Sequence, residues 1–211
     1  MNSAPYETRP AAAKSDLTRQ RILAAAESIF AEVGFAAARL EDVASAVGIK
    51  RASIVYYFKS KQELYDAVEA DIFAALQIES QRRVQSGRNA LERLGLLLDC
   101  WLDFWVARPS GARIIVRNAA DIAPRSTNPL EFSEATLRQL EEIIRAGSTA
   151  GEMREVDPIL ALNFLGTSIL HYVCLGGELG SGRAYHPAEP ARLLQFREML
   201  QATMHALVAP H

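Results

Sequence analysis

Apolar residues recur at steps of three and four along almost the whole of this 211-residue chain. Such steps place side chains on one face of an α-helix, whereas a half-buried strand alternates apolar and polar residues. No stretch of the sequence shows that alternation. Because 49% of the residues are apolar, the chain can also bury a sizeable core. We therefore predict an all-α fold of about nine helices.

Two of the predicted helices are short and follow one another directly, over 41–47 and 51–57. The turn between them is Val47-Gly48-Ile49-Lys50, and Gly48 suits it because a positive φ disfavours any residue with a Cβ. Ile54 and Phe58 are expected to face the core. Ser60-Lys61-Gln62-Glu63 forms a capping box that opens a long fourth helix. With the helix over 15–33, the pair has the geometry that lets one helix lie in the major groove of DNA.

The charge distribution agrees with a DNA-binding N-terminus, although the net charge of −2 alone does not. Residues 1–65 carry nine basic and seven acidic side chains, so this part of the chain has a net positive charge. Between Lys50 and Lys61 there are four basic residues, three aromatic residues and no acidic residue. Basic and aromatic side chains of this kind suit contacts with phosphates and base edges.

A set of short motifs fills residues 15–65. The motifs are Thr18-Arg19-Gln20-Arg21-Ile22-Leu23-Ala24-Ala25-Ala26, Phe30-Ala31-Glu32-Val33-Gly34-Phe35, Leu40-Glu41-Asp42-Val43-Ala44, Val47-Gly48-Ile49 and Tyr56-Tyr57-Phe58-Lys59-Ser60-Lys61-Gln62-Glu63-Leu64. Their order and spacing resemble the N-terminal domain of the tetracycline-repressor (TetR) family of bacterial transcriptional regulators. The resemblance implies a homodimer that binds a roughly palindromic DNA operator, with a separate ligand domain in each subunit.

The same resemblance implies which residues contact DNA. They are Arg39, Lys50, Arg51, Ser53, Tyr56 and Tyr57, with Lys61 touching phosphate. Tyr56 or Tyr57 could instead only anchor the fourth helix. Four positions depart from the family pattern: Ala38 and Arg39 stand where Thr and Ser are frequent, Ala52 replaces a frequent Gly, and Val55 replaces a Tyr that usually reaches the DNA.

The chain is expected to divide into a flexible N-terminal arm over 1–13, a DNA-binding domain over 14–60, and an effector-binding and dimerisation domain over 61–211. The helices over 158–176 and 188–208, with Leu200 in the contact, are predicted to form the dimer interface. A small, largely apolar effector with one polar or acidic end is expected to bind among apolar walls and a few polar groups. The predicted contacts are Phe73, Trp101, Trp105, Ile115, Asn118, Phe164, Ser168, His171 and Tyr172.

Several residues allow a second interpretation. His171 could be a core or interface histidine rather than a ligand contact, and Arg113 and Arg117 could be surface arginines or an anchor for an acidic effector. The apolar stretch over 159–177 is interrupted by polar residues, which favours a buried helix over a membrane span. Cys100 and Cys174 lack metal-ligand spacing and are expected to be reduced thiols in a cytoplasmic protein.

The function predicted from these features is a ligand-responsive DNA-binding regulator, most simply a repressor. It needs no cofactor or metal, contacts no membrane and performs no catalysis, since no nucleophile–base or metal spacing occurs in the sequence. A DNA-binding regulator controlled by a protein partner instead of a small molecule is the alternative.

Overall fold

The computed structural model describes residues 9–120, 133–176 and 184–210. Within these ranges the chain forms nine helices and no strand, so the all-α prediction is confirmed. The helices are α1 (Arg9–Ala37), α2 (Leu40–Val47), α3 (Arg51–Tyr57), α4 (Lys61–Val84), α5 (Ala90–Ala107), α6 (Pro109–Ala120), α7 (Glu134–Thr149), α8 (Pro158–Leu175) and α9 (Pro190–Val208). One turn of α8, Leu162–Gly166, is π-helical.

The chain divides into two compact units, Met1–Glu69 and Ala70–His211. The division falls inside the continuous helix α4 rather than at residue 60, because the first turns of α4 pack with the N-terminal unit. Helix α1 already begins at Arg9, so it includes the last residues of the segment expected as an arm. Residues 1–8 of that segment lie outside the described residues.

Aromatic and aliphatic side chains from all four helices form the core of the N-terminal unit. Phe30 of α1 meets Tyr65 of α4 edge-on, with ring centroids 4.7 Å apart. Val43 and Val47 of α2 are buried, as is Ile54 of α3. The predicted inward faces of these two short helices are therefore confirmed.

Local hydrogen bonds explain where α4 begins. The Ser60 Oγ accepts from the Glu63 backbone N–H at 3.0 Å, as a capping box requires. The Glu63 carboxylate, however, accepts from the backbone N–H of Lys59 at 2.8 Å, one residue before the donor that the motif predicts.

Helix α5 is the centre of the C-terminal unit and contacts α6, α7, α8 and α9. Asn89 caps its start by accepting from the backbone N–H of Glu92 at 2.8 Å. Helix α9 is tied to α5 by Arg197, which forms ion pairs with Asp99 and Asp103. These ion pairs fix α9 against α5, the helix that contributes Trp101 and Trp105 to the cavity described below.

Helices α8 and α9 each bury one face and expose an apolar one. Helix α8 is long and apolar enough to cross a membrane by length and composition, and 28% of its residues are buried. The prediction of a buried helix is thus correct only for one face, which includes Leu165 and Ile169. Leu200 of α9 is 4% exposed and belongs to the core of its own subunit, so its predicted place in a dimer contact is wrong.

Candidate DNA-binding surface and ligand cavity

The turn between α2 and α3 fixes the angle at which the two helices leave it. Gly48 has φ 75° and ψ 33°, the left-handed conformation that glycine adopts without steric cost. The backbone N–H groups of Gly48 and Ile49 donate to the carbonyls of Ser45 and Ala44, at 3.1 and 3.0 Å. The Arg21 guanidinium donates to the Val47 carbonyl at 3.0 Å and so caps α2 from α1.

Helix α3 is held by two buried side chains and leaves the rest of its surface open. Ile54 is fully buried and Phe58, directly after the helix, is 2% exposed. Phe58 is therefore an aromatic anchor of this segment, and Tyr56, at 79% exposure, is not. Tyr57 is half-buried and meets the Tyr56 ring edge-on, with centroids 5.2 Å apart.

The other residues predicted to contact DNA lie at the starts of the two short helices. Arg39 precedes α2 and Lys50 precedes α3, and both side chains are exposed and make no capping hydrogen bond. Ser53, in the first turn of α3, is half-buried. The structure thus leaves six of the seven predicted residues, all except Lys61, on or beside α2 and α3.

Arg51 has a partner that the sequence did not reveal. Its Nε lies 2.7 Å from the Glu41 carboxylate, and both side chains are more than half exposed. Glu41 lies in the first turn of α2, where an acidic residue also complements the helix dipole. The ion pair therefore connects the starts of α2 and α3 and holds the Arg51 guanidinium at the surface.

Lys61 corrects the sequence-based assignment. Its Nζ donates to three backbone carbonyls, those of Phe35 at 2.7 Å, Ala36 at 3.1 Å and Ala38 at 3.0 Å. It also lies 4.6 Å from the centroid of the Phe35 ring. An ammonium group has three N–H donors, so these carbonyls use all of them and leave none for a phosphate.

A cavity of about 370 Å³ opens among α4, α5, α6, α7 and α8 of the C-terminal unit. Its volume lies within the usual range for small-molecule sites. The lining residues are Phe73, Leu76, Trp101, Trp105, Ile115, Asn118, Ala119, Ser133, Thr136, Leu162, Asn163, Gly166, Thr167 and Leu170. Five of the residues predicted to contact an effector, namely Phe73, Trp101, Trp105, Ile115 and Asn118, are among them.

The remaining four predicted effector contacts lie elsewhere. Phe164, Ser168 and His171 are exposed on a different side of α8 from the cavity-lining Asn163, Thr167 and Leu170. Tyr172 is buried, but between Tyr185 and Phe196, with ring centroids 5.1 and 4.0 Å away. Ser168, His171 and Tyr172 instead line a shallow surface pocket beside α9. Their assignment to the effector cavity is therefore wrong.

The reason for the error is the phase of α8. Side chains one position apart on a helix point in directions that differ by about 100°. Choosing Phe164 instead of Asn163 as the lining residue therefore selects a different side of α8. Thr136, Thr167 and Leu170 are lining residues that the sequence did not indicate. Thr167 and Leu170 stand four and seven residues after Asn163 and so share its face of α8.

Two polar atoms in the cavity wall are buried without a hydrogen-bond partner among the described residues, Trp101 Nε1 and Thr136 Oγ1. Protein covers both atoms completely, so a ligand would reach them only if the side chains turned. Burial raises the pKa of the Cys100 and Cys174 thiols, which disfavours the reactive thiolate form. In the described part of the chain, no three His, Cys, Asp or Glu side chains come together as metal ligands.

Comparison with known proteins shows which family the N-terminal residues resemble. Residues 22–68 match the model for bacterial regulatory proteins of the tetR family. The chain is 29% identical over 148 residues to the HTH-type transcriptional repressor NicS of Pseudomonas putida. The aligned region covers 68% of this chain and 69% of NicS.

Two solved structures share the fold over nearly the whole chain. A TetR family transcription regulator from Marinobacter aquaeolei superposes with a TM-score of 0.76 at 18% identity, covering 95% of this chain and all of that one. The regulator FadR from Bacillus subtilis, in complex with stearoyl-CoA, gives a TM-score of 0.69 at 18% identity, covering 88% and 96%. At these identities the similarity concerns the fold alone.

Proposed function

Because the chain belongs to the tetR family of bacterial regulatory proteins, we propose that it is a ligand-responsive transcriptional repressor. As a homodimer it binds a palindromic operator in the cytoplasm, and it leaves the operator when a small, largely apolar effector fills the cavity. One observation carries the proposal: a helix-turn-helix unit with an open recognition helix is joined, in one chain, to a unit that contains an apolar cavity.

We assign operator binding to residues 14–60. Helix α3 lies in the major groove, with Arg51 and Ser53 directed to base edges and Lys50 and Tyr57 to phosphates. The exposure of Arg39 and Tyr56 supports a contribution from both. Lys61 is left out of this surface because its donors are already used within the protein.

Residues 61–211 hold the effector and form the dimer. The exposed apolar side chains of α8 and α9 support a partner subunit on this face, since large apolar patches on a surface mark interaction sites. The patch comprises Ile159, Leu160, Phe164, Leu175, Leu194 and Met199. A two-fold symmetric dimer presents two copies of α3, which corresponds to the two half-sites of a palindromic operator.

Release of the operator follows from a shift between two conformations of the dimer. The effector need only bind more tightly to the conformation in which the two α3 helices no longer match one helical turn of DNA, about 34–36 Å. FadR from Bacillus subtilis, crystallised with stearoyl-CoA, supports the idea that this fold can accommodate a small molecule that has an apolar part.

The test begins with selection of preferred sites from random double-stranded DNA, followed by fluorescence anisotropy with the selected operator. We expect a palindromic site, and we expect Arg51→Ala to weaken binding by roughly tenfold or more, the usual effect of losing one good base contact. Arg82→Ala, which removes an exposed arginine at the end of α4, is the matched control. Equal effects of the two variants, or the absence of any selected sequence, would contradict the proposal.

A further inference from the structure

We infer that the effector is an uncharged molecule of about two rings, which carries a neutral hydrogen-bonding group such as an amide or hydroxyl. The cavity excludes ligands that carry a carboxylate or a phosphate. The inference rests on the proposed function and specifies the chemical class of the ligand. It depends on three features of the C-terminal unit: the chemistry of the cavity wall, the positions of two arginines on α6, and two polar side chains on α8.

The cavity wall contains no formal charge in the part that the structure describes. None of its described residues is Asp, Glu, Lys, Arg or His. Nine are apolar or glycine, and the remaining five are neutral Asn, Ser or Thr. An anion transferred from water into such a site loses its hydration and finds no cationic partner among the described lining residues, whereas a neutral group loses far less hydration.

The two arginines of α6 point away from the cavity wall. Helix α6 contributes Ile115, Asn118 and Ala119 to the cavity. Arg113 and Arg117 stand two residues before Ile115 and Ala119, which is about half a turn around the helix, and both are exposed. They are therefore surface arginines, and the alternative interpretation as an anchor for an acidic effector is not supported.

Asn163 and Thr167 supply the hydrogen-bonding groups at the mouth of the cavity. They are one turn apart on α8, line the cavity and are accessible to solvent. The Asn163 Nδ2 donates to the Ile159 carbonyl at 3.0 Å, which fixes the amide and leaves its Oδ1 without a partner among the described residues. An amide or hydroxyl of a ligand could donate to this oxygen and bond to the Thr167 hydroxyl, whereas a carboxylate has no proton to donate.

The size of the ligand follows from the volume. A cavity of about 150 Å³ accommodates one benzene ring. The cavity here has about 370 Å³, more than twice that volume. Trp101 and Trp105 provide flat, apolar walls, which favour a ring system over a flexible chain.

The experiment uses three compounds that share one ring system: 2-naphthamide, 2-naphthylmethanol and 2-naphthoate. At neutral pH the first two are uncharged and the third is an anion. We expect calorimetric titration of the full-length protein to show that the neutral compounds bind roughly tenfold or more tightly than the acid. Equal or tighter binding of 2-naphthoate, or no binding of any of the three up to their solubility limits, would overturn the inference.

Variants then locate the contact. Thr167→Val should weaken the binding of 2-naphthamide and 2-naphthylmethanol by roughly tenfold. The affinity for 2-methylnaphthalene, which lacks the polar group, should stay unchanged. Ser168→Ala alters the neighbouring hydroxyl, which lies outside the cavity, and should change none of these affinities. Asn163→Arg should shift the preference towards 2-naphthoate. An unchanged preference in both Thr167→Val and Asn163→Arg would contradict the assigned contact.

Operator binding separates this inference from the proposed function. If the neutral compounds bind with the expected pattern but never change operator affinity, the ligand-responsive function fails and the cavity chemistry stands. If 2-naphthoate releases the operator and the neutral compounds do not, the inference about charge fails and the ligand-responsive function stands.

Discussion

A lysine side chain can donate only three hydrogen bonds, and this limit decides what Lys61 can do. Its three backbone acceptors belong to the end of α1 and the approach to α2, so Lys61 holds the chain at the point where it turns towards α2. Lys50, by contrast, is exposed and makes no capping hydrogen bond. The two lysines should therefore affect DNA binding in different ways.

We predict that Lys61→Ala lowers the free energy of unfolding by about 1–3 kcal/mol, because it leaves carbonyl groups without a donor. It should weaken operator binding without changing the slope of log K against log salt concentration. Lys50→Ala should reduce that slope by about 0.9, the value for one lost phosphate contact. Anisotropy titrations over a salt series measure both slopes, and a slope reduced by about one unit in Lys61→Ala would restore the phosphate assignment.

Two glycines allow backbone strain to be separated from function. Gly48, between α2 and α3, and Gly151, after α7, have φ of 75° and 71°, and a Cβ at either position would meet no atom within 4 Å. We predict that alanine at either position costs about 1–2 kcal/mol in unfolding free energy, from the left-handed backbone alone. Only Gly48→Ala should also weaken operator binding. Chemical denaturation and anisotropy test this, and equal loss of operator affinity in Gly151→Ala would contradict it.

At the scale of the elements, α8 and α9 present side chains to two different surroundings. Met199 and Leu200 are adjacent in sequence but are 62% and 4% exposed. Phe164 and Leu165 form a similar pair, at 56% and 2% exposure. In each pair one side chain belongs to the subunit core and the other to the proposed dimer face.

We predict that Met199→Glu yields a folded monomer with greatly reduced operator affinity, because a dimer would have to bury the introduced charge. Leu200→Glu should instead unfold the subunit, since it places a charge in the subunit's own core. Analytical ultracentrifugation and far-ultraviolet circular dichroism distinguish the two outcomes. If Met199→Glu remained dimeric at micromolar concentrations, the dimer interface would lie on another surface.

The same two helices show where prediction from the sequence ends. The short helices of the N-terminal unit were predictable because Gly48 ends α2 and the capping box of Ser60 and Glu63 opens the long helix that follows α3, and these local signals do not depend on distant contacts. In α8 nearly every position is apolar or small, so periodicity could not tell whether Phe164 or Leu165 faces the core. The π-helical turn at Leu162–Gly166 adds to this uncertainty, because a wider turn alters the spacing on which the prediction relies.

For the whole molecule, the relation between effector and operator binding is thermodynamic and needs no particular pathway. If an effector lowers operator affinity by some factor, the operator must lower effector affinity by the same factor. The chain contains two tryptophans, and both Trp101 and Trp105 line the cavity. Intrinsic fluorescence therefore reports on the site where we propose that the effector binds.

We predict that an effector changes tryptophan emission and releases fluorescently labelled operator over the same concentration range, with a coupling factor of about 5–150. The ratio of effector affinities measured without and with saturating operator should equal the ratio of operator affinities measured without and with effector. Arg82→Ala, which alters an exposed residue at the end of α4 outside the cavity and the proposed dimer face, should leave both factors unchanged. If a compound releases the operator without changing emission, its binding site is not the cavity lined by these tryptophans, because a ligand in that cavity alters the surroundings of both indole rings.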